Sequence, residues 1–179
     1  MDVYEPAEDS YLLSEVIAKE IKIIPKTKLS NLQFLEIGPG SGIQLEIAFK
    51  NGVKKENILG ADINPKAITH CKKKGFKCIK SNLLKKISKK KFDIIAFNPP
   101  YLPEHKHDKQ PDTSGGKKGN ETINKFLKQA RSHLSKDGFI LLLASSFTPK
   151  INSLGYKKEL LKTKKLFFEE LYVWKLRIK

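Results

Sequence analysis

Residues 92–101 read Phe-Asp-Ile-Ile-Ala-Phe-Asn-Pro-Pro-Tyr, an apolar run that ends abruptly in an amide and two prolines. The run 92–97 predicts a buried β-strand, because short apolar stretches of this kind fill the centre of parallel sheets. Proline has no backbone N–H to give to a sheet, so Pro99 and Pro100 end the strand and turn the chain outward. We therefore expect Asn98 and Tyr101 at the carboxyl edge of a sheet, where open α/β folds bind their ligands.

Strands and helices are predicted to alternate along the rest of the chain. Strands are predicted at 33–37, 58–62, 78–80, 92–97, 139–144 and 172–178, and helices at 6–24, 43–50, 65–74, 120–134 and 153–163. This order predicts an α/β fold with a doubly wound, mostly parallel sheet and an antiparallel C-terminal strand, of the Rossmann-like kind. Residues 166–178 leave little room for two strands and a turn, so the number of C-terminal strands stays at one or two.

The composition is that of a basic chain with an ordinary apolar content. The 179 residues, 39% of them hydrophobic, fit a single domain over 1–179 with one core. No apolar stretch approaches the roughly 20 residues that span a bilayer, and the first residues lack the pattern of a signal peptide. Cys71 and Cys78 form neither a disulfide framework nor a zinc spacing. We expect a cytoplasmic protein that does not contact membranes.

The net charge of +16 comes almost entirely from lysine, because Arg131 and Arg177 are the only arginines. Such a charge favours an anionic partner such as RNA or a ribosome, or a protein that works on them. Lysine enrichment is also a trait of thermally adapted proteins. Both explanations remain open.

A glycine-rich turn follows the first predicted strand. The segment Glu36–Gly42 reads Glu-Ile-Gly-Pro-Gly-Ser-Gly and has neither the dinucleotide-binding spacing nor the lysine of a phosphate-binding loop. A carboxylate at Glu36 would repel a pyrophosphate but attract an ammonium group. Asp62 ends the next strand, where an acid commonly binds ribose hydroxyls, and Asn82 follows the third strand, where its amide could bond an adenine edge. These features predict S-adenosyl-L-methionine as the cofactor, against the alternative of a plain strand-to-helix turn.

The Asn-Pro-Pro-Tyr segment suits a planar nitrogen that attacks an electrophile. If the Asn98 side-chain oxygen and the Pro99 carbonyl each accept one N–H, the nitrogen is held in line and its growing positive charge is stabilised. Tyr101 can pack on the flat substrate group, and no catalytic acid or base is needed. The alternative is that the segment only terminates a strand.

The long loop 102–119 directly follows this segment and is interpreted as a lid over the substrate entrance. Its His105-Lys106-His107-Asp108 run has no second cluster to complete a metal shell, so no metal is predicted.

With these residues in place, the chain resembles the HemK-like class I methyltransferases, which modify the glutamine of the Gly-Gly-Gln motif in translation release factors. The resemblance is greatest to the archaeal and eukaryotic branch. It rests on residues 2–13, Asp-Val-Tyr-Glu-Pro-Ala-Glu-Asp-Ser-Tyr-Leu-Leu, and on 62–65, 97–102 and 115–119. It covers essentially the whole chain.

The resemblance implies a set of functional residues. The cofactor would lie on Ser10, Glu36, Gly38, Gly40, Asp62, Asn82, Leu83 and Asn98, and the substrate glutamine on Asn98, Pro99, Pro100 and Tyr101, with Asn98, Pro99 and Tyr101 as the catalytic positions. Residues 1–24 would cover the cofactor. The family commonly has Asp where Asn82 stands. The resemblance also implies a small zinc-binding activator subunit that forms a heterodimer with the chain near the third strand.

The leading hypothesis is N-methylation of a release-factor glutamine. Three alternatives stay open: methylation of exocyclic nitrogens in nucleic acid (adenine N6 or guanine N2), methylation of protein lysines, and a non-catalytic RNA-binding module. A run of lysines at 85–91 is either a solvated linker or an RNA contact.

Overall fold

A seven-stranded sheet organises the computed structural model of the chain, which describes residues 2–100, 120–149, 151–152 and 155–179. The strands are β1 (Phe34–Ile37), β2 (Ile58–Asp62), β3 (Lys77–Lys80), β4 (Phe92–Phe97), β5 (Leu134–Ser145), β6 (Tyr156–Lys165) and β7 (Glu170–Ile178). Their order is β3-β2-β1-β4-β5-β7-β6. The first five strands are parallel, whereas β7 runs antiparallel to both β5 and β6. The predicted doubly wound, mostly parallel fold is confirmed, with two antiparallel strands at its C-terminal end.

Helices cover both faces of the sheet. They are α1 (Glu8–Lys22), α2 (Lys26–Leu29), α3 (Ile43–Lys50), α4 (Pro65–Lys73) and α5 (Glu121–Ala130), with short 3-10 turns at Lys55–Asn57 and Arg131–His133. Residues from α1, α3 and α4 pack on one face, and α5 packs on the other. The central strand β4 is buried almost throughout because both of its faces meet a helix layer. No helix in the described ranges is long and apolar enough to cross a membrane.

A buried ion pair fixes α1 against the sheet. Glu20 on α1 and Lys175 on β7 form a salt bridge in which each side chain is only 7% exposed. The Lys175 ammonium also lies 4.3 Å from the centre of the Phe139 ring. A buried charge is tolerated only when it is paired, so this contact sets the position of α1 and of the segment that precedes it.

The predicted helix at 153–163 is wrong. Residues 156–165 form β6, which pairs along its whole length with β7. Lysine and leucine are good helix formers, and seven of the ten residues in Tyr-Lys-Lys-Glu-Leu-Leu-Lys-Thr-Lys-Lys are lysine or leucine. The unpaired edge of β7 supplies a ladder of hydrogen bonds that outweighs this local preference, and the exposed lysines suit an edge strand.

The helix predicted over 120–134 ends earlier than expected. Its α-helical part stops at Ala130, one 3-10 turn follows, and β5 already begins at Leu134. The strand predicted at 139–144 therefore begins five residues earlier, and residues 136–138 lie within β5, where the register with β4 shifts. The irregularity absorbs the extra residues without ending the strand.

Candidate active site

One cavity of about 380 Å³ opens at the carboxyl edge of the parallel strands. It is lined by residues that follow β1, β2, β3 and β4, and by residues from the segment at the start of α1. The loops that follow the parallel strands meet at this edge, which is where open α/β sheets bind ligands. The fold therefore brings together chain segments that are far apart in sequence.

The glycine loop after β1 forms the floor of the cavity. Gly38, Gly40 and Gly42 all have positive φ angles, a conformation that other residues rarely adopt. A Cβ built on Gly38 would meet nothing within 4 Å, so the backbone here is open to a ligand. At Gly40 the N-terminal segment (residues 2–9) covers the loop, since a Cβ there would lie 3.5 Å from the Cβ of Tyr4.

Two carboxylates lie beside this loop. Asp62, at the end of β2, accepts the N–H of Asn64 at 2.8 Å and that of Gly40 at 3.3 Å, so it ties the two loops together. Glu36, in β1, is buried, and its Oε2 has no hydrogen-bond partner within the described part of the chain. Burial raises the pKa of Glu36 well above its usual range, and the neighbouring Cys71 and Asp62 act in the same direction. A buried carboxyl of this kind suits a cationic ligand group.

The Asn98 amide is fixed by a contact from the N-terminal segment. Its Nδ2 donates to Oδ2 of Asp9 at 2.9 Å. Its Oδ1 is buried and has no hydrogen-bond partner among the residues that the structure describes. Because a carboxylate can only accept, Asp9 holds the nitrogen of this amide and leaves the oxygen available.

Asp9 is itself held by three further donors. The Ser10 N–H and the Ser10 hydroxyl reach Oδ1 at 2.6 and 3.2 Å, and the Tyr4 hydroxyl lies 3.1 and 3.2 Å from the two carboxylate oxygens. Burial, then Asp9, and then the charge of Glu169 raise the pKa of Tyr4, so this phenol stays a donor. The network links the cover of the glycine loop to the amide at the end of β4.

Asn82 and Leu83 lie on the cavity wall after β3. Leu83 has a φ of +55°, the single positive φ of a residue other than glycine within the described ranges. A bulky residue in the left-handed region is unusual, and such strain is often found at functional sites.

The predicted site residues therefore meet at one cavity. Its lining includes Ser10, Glu36, Gly38, Gly40, Asp62, Asn82, Leu83, Asn98, Pro99 and Pro100. Tyr101 and the predicted lid 102–119 lie outside the described residues. The roles assigned to these positions remain predictions.

Sequence reasoning missed other residues of the cavity. Tyr4, Asp9, Gln44, Thr122 and Lys125 also line it. Gln44 fixes α1 by donating to the Ser10 carbonyl at 2.9 Å and accepting from Ser14 Oγ at 2.8 Å. Tyr4 and Asp9 belong to the segment 1–24 that was expected to cover the cofactor, but neither was predicted as a site residue.

The described residues contain no group of three His, Cys, Asp or Glu that could hold a metal ion. The His105–Asp108 run lies outside these residues. Cys71 and Cys78 are both buried and free.

The fold and the cavity at its carboxyl edge define a Rossmann-like methyltransferase. The chain belongs to the methyltransferase small domain family, whose model matches residues 12–167.

The chain is similar to several named proteins over most of their length. The chain is 35% identical to the Methanocaldococcus jannaschii protein named "Putative protein N5-glutamine methyltransferase MJ0928", over 98% of this chain and 93% of that protein. It is 28% identical to human methyltransferase HEMK2, over 92% of this chain and 80% of that protein. Among solved structures, the E. cuniculi Mtq2–Trm112 complex, responsible for methylation of the translation termination factor eRF1, matches with a TM-score of 0.76 and 27% identity over the whole of both chains.

Proposed function

We propose that the protein transfers a methyl group from S-adenosyl-L-methionine to the side-chain amide nitrogen of a glutamine in a translation release factor. The relatives named for this reaction support the proposal. The observation that carries it is the Asn98 amide, whose nitrogen is held by Asp9 while its buried oxygen has no partner in the described ranges. Such an oxygen can accept a hydrogen bond from a substrate amide that presents N–H groups.

The cavity fits the cofactor in three respects. The buried Oε2 of Glu36, which has no hydrogen-bond partner among the described residues, would gain a cationic partner in the amino group of the ligand. The open backbone at Gly38 leaves room for close approach. Asp62 stands at the end of β2, where an acid can bind ribose hydroxyls. The residues that would hold the cofactor are Ser10, Glu36, Gly38, Gly40, Asp62, Asn82, Leu83 and Asn98.

When bound, this cofactor supplies an electrophilic methyl group on a sulfonium. Asn98 Oδ1 and the Pro99 carbonyl would accept the two N–H groups of the glutamine amide and hold its nitrogen in line for attack. The same two oxygens stabilise the positive charge that grows on nitrogen. The nitrogen becomes acidic only once the new bond has formed, so its proton can leave to water without a general base. Pro100 and Tyr101 would complete the contact with the flat amide.

A small partner subunit of the Trm112 kind would complete the protein. Strand β3 is the outermost strand on its side of the sheet, and Ile79 on it is only half-buried. An unpaired strand edge can extend its ladder onto a second chain. We infer a heterodimer through this edge, with a zinc-binding partner, in the cytoplasm.

Mass spectrometry tests the function directly. The chain and its Trm112-like subunit are incubated with a release factor and the cofactor, and we expect a gain of one methyl group on the glutamine of the Gly-Gly-Gln motif. The Asn98→Ala variant should abolish it, whereas Asn57→Ala, at a half-buried asparagine whose side chain donates to the Ser30 carbonyl, should not. Methyl incorporation that survives Gln→Ala at the acceptor, or that appears on lysine or in nucleic acid, would refute the proposal.

A further inference from the structure

Two phenylalanines project from the turn between β6 and β7. Phe167 is 92% exposed and Phe168 is 82% exposed. Their rings pack edge to face with centroids 4.6 Å apart. The turn beneath them is closed by a hydrogen bond from the Leu166 N–H to the Glu169 carbonyl at 2.8 Å, and Leu166 packs on the core. The pair is therefore presented on a rigid support, and burying it would release a large apolar area from water.

This aromatic tip lies at the same edge of the sheet as the cavity. Strand β7 begins opposite the end of β5, so the β6–β7 turn projects beyond the carboxyl edge. Lys164, just before the turn, forms an ion pair with Glu8 in the first turn of α1. Glu169, just after it, is close enough to Tyr4 for its charge to act on that phenol. Tyr4 lines the cavity, so the aromatic tip stands beside the cavity mouth.

The charges around the tip differ from those of the whole chain. The chain carries a net charge of +16, but here Lys164 and Lys165 stand against the three carboxylates of Glu8, Glu169 and Glu170. A surface that binds nucleic acid needs an excess of cations to neutralise phosphates. The tip lacks that excess, and exposed aromatic residues of this kind typically anchor protein interfaces.

We propose that the Phe167–Phe168 tip is a docking point for the protein substrate, which it engages through an apolar patch outside the acceptor glutamine. The inference rests on the proposed function, because the occupant named is the methylated polypeptide itself. Contact at the tip would raise the affinity for the whole substrate while leaving the chemistry at Asn98 unchanged. Affinity gained remote from the reacting centre lowers KM without changing kcat.

A pair of substrates separates this role from others. The heterodimeric wild-type enzyme and a Phe167→Ser/Phe168→Ser variant are compared on an intact release factor and on a short synthetic peptide that carries only the Gly-Gly-Gln segment. We expect KM for the intact factor to rise at least tenfold, with kcat and the peptide kcat/KM within twofold of wild type. The matched control is Phe49→Ser, an exposed aromatic residue (47%) at the end of α3, away from the cavity edge.

Each other outcome overturns the proposal. An unchanged KM for the intact factor would remove the docking role, and an equal loss on both substrates would mean that the tip only supports the cavity. Unchanged kinetics of the variant together with weakened binding to a labelled RNA would assign the tip to nucleic acid. If the wild-type chain sediments with a second copy of itself and the variant does not, the tip would be assigned to self-association. If the wild-type enzyme fails to methylate any release factor, the proposed function itself fails. This outcome is distinguishable from failure of the docking role, because it is seen with the wild-type enzyme alone.

Discussion

Replacing Asp9 by asparagine tests the arrangement at the acceptor site with the smallest change in shape. Oδ1 of Asp9 receives the Ser10 N–H at 2.6 Å and Oδ2 receives Asn98 Nδ2 at 2.9 Å. In Asp9→Asn one of these oxygens becomes an NH2 group. The Ser10 N–H belongs to the backbone and cannot turn away, so the new oxygen must face it and the new NH2 must face Asn98.

Two NH2 groups cannot share one hydrogen bond, so the Asn98 amide is expected to rotate by half a turn. Its oxygen then faces residue 9, and its nitrogen faces the cavity where an acceptor is needed. In the proposed mechanism the site then loses one of its two hydrogen-bond acceptors for the substrate N–H groups. Removal of one such preorganised group typically lowers kcat by about 10²–10³, which corresponds to about 2.7–4 kcal/mol. Asp9→Asn should therefore approach Asn98→Ala in its effect on kcat.

Single-turnover methylation of a release factor, together with calorimetric titration of the cofactor, measures both parts of this expectation. Cofactor affinity should change by less than about tenfold, or about 1.4 kcal/mol, because the glycine loop and Asp62 are untouched. Glu15→Gln is the matched control, since Glu15 lies on the same helix and forms an exposed ion pair with Lys162. A kcat within threefold of wild type for a folded Asp9→Asn protein would refute the reasoning.

Three further predictions concern cofactor binding and stability. Asp62→Ala should reduce cofactor affinity at least tenfold, because it removes the acceptor that joins the Gly40 and Asn64 N–H groups; unchanged affinity by calorimetry would contradict the ribose assignment. Glu36→Gln should flatten the fall in thermal stability as pH rises above about 4.5, since a carboxyl whose folded pKa is raised loses its stabilising contribution as pH rises. Equal pH slopes in scanning calorimetry would count against it. Glu20→Ala should lower the free energy of unfolding by about 3–5 kcal/mol, because it leaves Lys175 buried without its partner. Chemical denaturation measures this loss, and the double variant Glu20→Leu/Lys175→Met, which removes both charges, should unfold close to wild type.

The parallel part of the fold was predictable because its signals are local. Strands β1, β2 and β4 are short apolar runs, and the residues that end them, such as Pro99 or the glycines after Ile37, lie directly beside them in sequence. Residues at the ends of parallel strands meet at one edge by topology alone. The strand positions of Glu36, Asp62 and Asn98 therefore sufficed to place them around one cavity.

The antiparallel end of the sheet was harder to predict because its signals are not local. Residues 156–165 have the composition of a helix, and what makes them a strand is the free edge of β7, which follows them in sequence. The contact between Asp9 and Asn98 joins residues 89 positions apart, so no spacing pattern contains it. Glu20 and Lys175 are separated still further and meet only because α1 crosses β7.

The Asp9 carboxylate links the segment that covers the glycine loop to the Asn98 amide at the end of β4. It receives Tyr4, which lies over the glycine loop, and Asn98, which ends β4, while the main chain of Asp2 accepts the side-chain N–H of Asn64 beyond β2. Residues 2–9 thus contact the chain just after three different strands, β1, β2 and β4. If it lifts from the glycine loop, Asp9 cannot keep its hold on Asn98, and the amide is free to rotate. We therefore expect the position of this segment to control the orientation of the Asn98 amide, and Asp9→Asn disturbs that control without removing the segment from the glycine loop.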